Sequence, residues 1–256
     1  MIRALSPSFI IVGVQKCGTT ALADILNQHP DCALSKYKEV EFFSKFERAE
    51  GMTLVQQLGY ATHWRLKDYV PGRQRFEASP AYAFTGRPGR LQLELIRAYR
   101  PDMRLICSFR DPVKRAYSQW NMERQLKLIS EGFEDALHCE AIGTPSERNY
   151  YSFLAHGAYD RIVENLWAVF PREQVHLMLQ EDLKEHHERE VLRVQEFLGL
   201  RPLPLPALVS HERPYTFEPM REETRSRLAA HFAPSNARFA AMTGLDVSRW
   251  TQPAGG

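Results

Sequence analysis

Apolar positions along the chain follow two periods. Ser8-Phe-Ile-Ile-Val-Gly13 is a short continuous apolar run, the pattern of a strand buried on both faces. Residues 20–28 then space Ala21, Leu22, Ile25 and Leu26 along one helical face, with a glycine-bounded turn between the two elements. Arg104-Leu-Ile-Cys-Ser-Phe109 is a second apolar strand, and Asp111-Pro112 supplies an N-cap and a first-turn proline for a helix reaching about residue 127. A third unit runs in the other order, an amphipathic helical pattern over 158–170 before a strand pattern over 174–179. Helical patterns also fit 91–99, 133–141, 188–198 and 222–232, while Arg201-Pro-Leu-Pro-Leu-Pro206 must be extended. Strands separated by helices predict an α/β fold with a parallel sheet covered on both faces.

Composition narrows this picture. A chain of 256 residues with 44% hydrophobic and 25% charged residues can bury a sizeable core, which excludes disordered and collagen-like classes. We expect a single domain over residues 1–250 and a frayed tail over 251–256. The net charge of +2 is too small to argue for a nucleic-acid partner, so any anion site must be a local cluster. The longest apolar run, residues 9–14, is far short of the roughly 20 needed to span a bilayer, and no cationic leader precedes it. The expectation is a soluble, cytoplasmic protein. Cys17, Cys32, Cys107 and Cys139 show no CxxC spacing, so reduced thiols are expected in place of a zinc site or disulfide framework.

The chemistry begins at Gly13-Val-Gln-Lys-Cys-Gly-Thr-Thr20, between the first strand and its helix. There backbone N–H groups and the helix dipole converge on an anion. The segment departs from the triphosphatase pattern GxxxxGK[ST], because Thr19 stands where that lysine belongs and Lys16 lies inside the loop. Lys16 can reach a 5′-phosphate and the oxygen bridging it to a transferable group, while Gln15, Cys17, Gly18, Thr19 and Thr20 line the loop; no residue is arranged to hold magnesium. A bare Gly-x4-Gly is equally an ordinary turn with a solvated lysine, and the clustered Lys-x-Gly-Thr-Thr weighs against that. Cys17 in such a loop would have its thiolate favoured and would be open to alkylation. Arg110 ends the second strand, and Ser118 lies two turns into the next helix; a guanidinium fork and a hydroxyl there could clamp a second phosphate. Alone, that pair also fits a helix-start arginine paired with Asp111.

Together, Gln15-Lys-Cys-Gly-Thr-Thr20 and Arg110-Asp-Pro-Val-Lys-Arg-Ala-Tyr-Ser118 resemble the 5′-phosphosulfate and 3′-phosphate loops of sulfotransferases that use 3′-phosphoadenosine-5′-phosphosulfate (PAPS). Lys38-Glu-Val-Glu-Phe-Phe43 and Glu77-Ala-Ser-Pro-Ala-Tyr82 make the chain most similar to the heparan sulfate N- and O-sulfotransferase type, over about residues 9–248. The resemblance implies a P-loop-like three-layer fold, PAPS as donor, adenosine 3′,5′-bisphosphate (PAP) as product and no required metal. It places the catalytic base on Glu39, with Glu41 as the neighbour that could take its role; an extended segment would put both on one face and a turn would separate them. Phe42 and Phe43 are expected to anchor this loop in the core.

There are departures. Relatives often carry a lysine after the glutamate of the Glu-x-Ser/Thr-Pro segment, and here Ala78 stands there, so a cationic helper is missing or supplied elsewhere. Glu77 lies near the acceptor or bonds loop amides beside Ser79-Pro80. Gly157-Ala-Tyr159 resembles a Gly-x-Tyr that opens a helix in the family and shapes a wall of the cleft. Ser210 to Phe217 occupies the place of a loop closing over the nucleotide, with Arg213 and Tyr215 as candidate contacts. The implied acceptor is a hydroxyl or amine of a glycan or small metabolite, with Arg73, Arg75, Trp64 and Tyr82 as candidate cleft residues. The competing readings are a P-loop nucleotide kinase or triphosphatase, and a non-catalytic nucleotide-binding relative.

Overall fold

The computed structural model describes residues 6–46, 53–64, 70–84, 87–141, 152–207 and 217–250, and the side chains of all these except Arg87 and Pro88. They fall into two compact units. One comprises the chain up to Phe109 together with Glu164–Ser210, the other Arg110–Val163 together with the chain from His211 onward.

The first unit is built on a five-stranded parallel sheet. Its strands are β1 (Phe9–Gly13), β2 (Cys32–Leu34), β3 (Gln74–Ala78), β4 (Arg104–Phe109) and β5 (Val175–Leu179), in the spatial order β2-β3-β1-β4-β5. β1 is central, and every one of its residues is buried, which is why its sequence is a continuous apolar run and does not alternate. On one face Phe9, Ile11, Phe76 and Ile106 pack with Leu22, Ile25 and Leu26 of helix α1 (Thr19–Leu26). The Phe9 and Phe76 rings stack at 4.6 Å. Ile10, Val12, Leu105 and Cys107, of opposite parity, are just as inaccessible, so the sheet is covered on both faces as the pattern predicted.

β1 pairs with β3 on one side and β4 on the other, with Phe9 in register with both Phe76 and Arg104. This is a topological switch point, where α/β sheets hold ligands outside the strands' carboxyl ends. The β1–β4 register shifts between Ile11 and Gly13, and Val14 N–H donates to Ser108 O at 2.8 Å, so β1 leaves the sheet through an irregularity that leads directly into the glycine-bounded loop. The other helices assigned to this unit are α2 (Leu54–Ala61), α3 (Arg87–Tyr99), α7 (Gln180–Glu185) and α8 (His187–Leu198).

The second unit holds α4 (Pro112–Gln125), α5 (Phe133–Ala141) and α9 (Glu222–Thr243), and α6 (Tyr159–Val169) begins in it. Val113, Ala116, Trp120, Phe133, Leu137, Phe153, Leu228 and Phe232 make its core. Asp111 caps α4 as predicted, its carboxylate accepting from Val113 N–H at 2.9 Å and Lys114 N–H at 3.3 Å, with Pro112 in the first turn.

Several elements differ from the pattern reading, and two of them, α2 and α7, are helices that it did not predict. β2 and β3 were not predicted: β2 has three residues, and Gln74-Arg-Phe-Glu-Ala78 buries its arginine and glutamate, which hides the apolar run. α9 extends to Thr243 through Pro234 instead of stopping near residue 232, because Leu228, Phe232, Asn236 and Phe239 keep one face buried past the proline.

Candidate functional site

The loop after β1 has the local geometry of an anion cradle. Lys16 and Gly18 both take positive φ, 69° and 81°. Glycine adopts that region freely, whereas a lysine held there is a strained feature of about 1 kcal/mol or more, the kind that persists at ligand-binding loops. Cys17 N–H donates to Val14 O at 3.1 Å, and the Cys17 carbonyl accepts from Ser108 Oγ of β4 at 2.8 Å, which pins the loop to the sheet. Helix α1 starts on Gly18 with no side-chain cap and no acidic residue in its first turn. Its first N–H groups are therefore left for an outside acceptor, and the helix dipole adds to their positive potential.

Within this loop Cys17 does not present its thiol. The side chain is fully buried, with Sγ 3.8 Å from Gln15 O, so the access to alkylation expected of it is closed in the folded protein. Burial pushes the neighbouring Cys107 thiol well above its ordinary range, and Cys17 adds to the effect.

Glu39 is brought to this loop by a residue that sequence reasoning did not single out. Lys38 Nζ lies 2.7 Å from Thr20 Oγ1 and 2.7 Å from Glu39 Oε1. The ammonium thus links the start of α1 to the carboxylate, and Glu39 remains half-exposed. The available signal was position: Lys38 immediately precedes Glu39 in the same short motif. Ser108 was also missed, although a hydroxyl in an otherwise apolar strand marks it.

Glu41 begins a turn. Its φ is 47°, and the 3-10 turn Phe42–Lys45 follows. Partial burial raises its carboxyl above the ordinary range, and Glu39 raises it further, so the two carboxylates stay electrostatically close despite the turn. Phe42 and Phe43 are buried, as expected of anchors. Phe42 stacks on Tyr60 at 4.6 Å, and Phe43 meets Tyr60, Tyr82 and Tyr99 edge-on.

Glu77 is completely buried. It accepts from Tyr60 OH, from Ser79 Oγ at 2.5 Å, from Tyr82 OH at 3.5 Å and from the Val40 N–H. Burial pushes its carboxyl up to about 7 against these donors, which pull the other way. Tyr82, Trp64 and Arg75 are buried as well, with Trp64 Nε1–H donating to Ala33 O, so they serve as core and do not line an open cleft as expected. The reason is that this segment packs an aromatic cluster in which Trp64 meets Tyr60 edge-on and Tyr82 meets Phe43, itself packed on Tyr60.

In the second unit, Arg110 is half-buried just before α4, and Ser118 is buried two turns into it. Tyr159 OH donates to Arg110 O at 2.8 Å and so fixes the backbone that carries the guanidinium. Gly157 exists for close approach: a Cβ there would fall 2.5 Å from the Phe232 ring and 3.3 Å from Pro112. The Gly-x-Tyr segment therefore seats the start of α4. Arg213, Tyr215, Tyr150 and Tyr151 lie outside the described residues. Among the described residues no group of three His, Cys, Asp or Glu side chains stands together as metal ligands. None of the described helices is long and apolar enough to cross a membrane.

Comparison with known proteins places these observations. The family model described as a sulfotransferase domain matches residues 6–239. A crystal structure of a sulfotransferase from Alicyclobacillus acidocaldarius shares 30% identity and superposes with a TM-score of 0.77, covering 96% of this chain and 99% of that one. Human heparan sulfate glucosamine 3-O-sulfotransferase 3B1 is 28% identical over 264 residues, 94% of this chain. Mouse heparan sulfate glucosamine 3-O-sulfotransferase 6 is 28% identical over 271 residues, 95% of this chain and 74% of its own length. The chain spans 64% of the length of the human 3B1 enzyme and 61% of that of the human 3A1 enzyme.

Proposed function

The chain belongs to the sulfotransferase family, and we propose that it transfers a sulfuryl group from PAPS to a hydroxyl or amine of a glycan or small-metabolite acceptor, releasing PAP. The observation that carries this reading is the pairing of an uncapped, lysine-bearing anion loop with a half-exposed carboxylate, joined through Lys38.

In this reading the N-terminus of α1, with Gln15, Cys17, Gly18, Thr19 and Thr20, receives the 5′-phosphosulfate. Cys17 contributes its backbone, since its thiol is buried. Arg110 and Ser118 take the 3′-phosphate, a role supported by the resemblance of their segment. Arg213 and Tyr215 are proposed as further nucleotide contacts on the same ground.

Sulfuryl transfer passes through a loose transition state by analogy with phosphoryl transfer, so the residues' work is alignment and stabilisation of spreading negative charge. Glu39 takes the proton from the acceptor as its oxygen or nitrogen bonds to sulfur. Lys16 stabilises the bridging oxygen as the sulfur–oxygen bond to the 5′-phosphate breaks. Lys38 offers a second cation beside the loop, in a chain whose position 78 is alanine. The donor's sulfuryl group carries less charge than a terminal phosphate, and the proposal needs no metal.

The kinase or triphosphatase alternative is not favoured: the family match is to sulfotransferases, and Thr19 occupies the position of the kinase-type lysine. Calorimetric titration with PAP, against ATP with and without magnesium, tests the reading. PAP binding without magnesium, abolished or weakened at least tenfold by Lys16→Ala and by Arg110→Ala, is the expected result. Binding of ATP with magnesium and none of PAP would overturn it.

A further inference from the structure

The segment that carries Glu39 is laced to β3 and the turn after it by a regular series of bonds. Ser35 N–H donates to Phe76 O at 2.9 Å, and Ala78 N–H donates to Lys38 O at 2.9 Å. The next three contacts go to side chains: Val40 N–H to the Glu77 carboxylate, Glu41 N–H to Ser79 Oγ at 3.1 Å, and Phe43 N–H to Tyr82 OH at 3.3 Å. The three acceptors are themselves one network, because Ser79 Oγ and Tyr82 OH both donate to Glu77. Glu39 is thus bracketed, with the carbonyl before it held by residue 78 and the amide after it held by residue 77.

A buried carboxylate is a costly anchor unless its bonds do something that an apolar side chain could not. Here it does: a carboxylate alone among side chains of that size offers acceptor sites to three hydroxyls and a backbone N–H together. Full burial and this engagement of both oxygens also leave Glu77 no route to an acceptor substrate.

We infer that Glu77 is a positioning residue for the transfer reaction, holding residues 38–43 through Val40, Ser79 and Tyr82 so that Glu39 and Lys38 are aimed at the anion loop. This rests on the reading of Glu39 as the base. A shift of about 1 Å in such a group lowers turnover on the order of 10²-fold, so the clamp bears on rate rather than on donor affinity.

The test combines two readouts on the whole chain. Hydrogen–deuterium exchange follows residues 38–46 in the parent protein and in Glu77→Gln, Ser79→Ala and Tyr82→Phe. The latter two remove single hydroxyls and keep the test open where Glu77→Gln fails to fold. Faster exchange confined to this segment, with protection of β1 and β4 unchanged, is expected. In parallel, PAP release from PAPS is measured with a heparan sulfate oligosaccharide as acceptor, alongside calorimetric PAP affinity. Turnover should fall at least tenfold in the variants, with PAP affinity within about twofold of the parent. Unchanged exchange in all three variants overturns the clamp whatever the activity; looser exchange with unchanged turnover overturns the positioning role. If the parent binds no PAP, the donor reading fails while the exchange arm still decides the clamp.

Discussion

The Lys38 ammonium stands 2.7 Å from Glu39 Oε1, and its other contact at the same distance is the Thr20 hydroxyl at the start of α1. One side chain therefore couples the candidate base to the candidate donor loop. Such a pair is worth little as a surface salt bridge, so its meaning is geometric. A cation at this point can hand over from Glu39 to a donor oxygen when the loop is filled.

Lys38→Met should accordingly affect both partners. The expected outcome is a PAP affinity lowered by roughly threefold to tenfold and a turnover of PAPS lowered by about 10²- to 10³-fold, the range for loss of one preorganised donor at a transition state. Calorimetry and steady-state kinetics read the two separately, and a variant with unaltered turnover would remove Lys38 from the site.

Glu39→Gln keeps the shape of the side chain and removes its basicity. Turnover should fall by roughly 10²- to 10⁴-fold with PAP affinity nearly unchanged. If the loss is instead produced by Glu41→Gln, the base lies at the start of the turn, where burial and then the charge of Glu39 raise the carboxyl of Glu41.

Two buried groups give opposite pH slopes to stability. Glu77 holds its proton more tightly in the folded chain, with burial pushing it from 4.5 to about 7, so its contribution is complete below pH 4.5 and is lost as pH rises through 7. At roughly 1.4 kcal/mol per pKa unit this is on the order of 3–4 kcal/mol. His156 is the reverse: burial, then the charge of Arg115, lowers it to about 3, so its contribution is complete above 6.5 and is lost as pH falls toward 3. Urea midpoints at pH 5, 6.5 and 8 check both. Glu77→Gln should gain on the parent between pH 5 and 8, and His156→Gln should gain on the parent between pH 6.5 and 5.

Gly157→Ala drives a methyl to 2.5 Å from the Phe232 ring, a contact that one of them must vacate. The expected loss is about 1–3 kcal/mol, seen as a lower Tm. Phe232→Leu in the same chain should recover part of it, because the two changes share one space.

What the sequence determined by itself was the part of the protein that depends on local pattern. The run Phe9 to Gly13, the loop with Lys16 displaced from the kinase position, and the Asp111-Pro112 helix start are each specified by neighbours along the chain, and the structure builds them where the pattern put them. The tertiary structure decided everything that depends on who meets whom. β3 carries an arginine and a glutamate, and only its pairing with β1 and β2 shows that these charged residues belong inside. Tyr82, Trp64 and Arg75 have the composition of a binding cleft, yet packing against Phe43 and Tyr60 uses the two aromatics as core. Cys17 lies in the loop that its sequence promised, but its thiol is turned into the protein. Lys38 acquires its place only when a segment 18 residues beyond Thr20 returns to α1. Periodicity reports which side of an element is buried; it carries no information about which residues of distant segments share a hydrogen bond, because that is set by the closure of the sheet and the stitching of one loop to another.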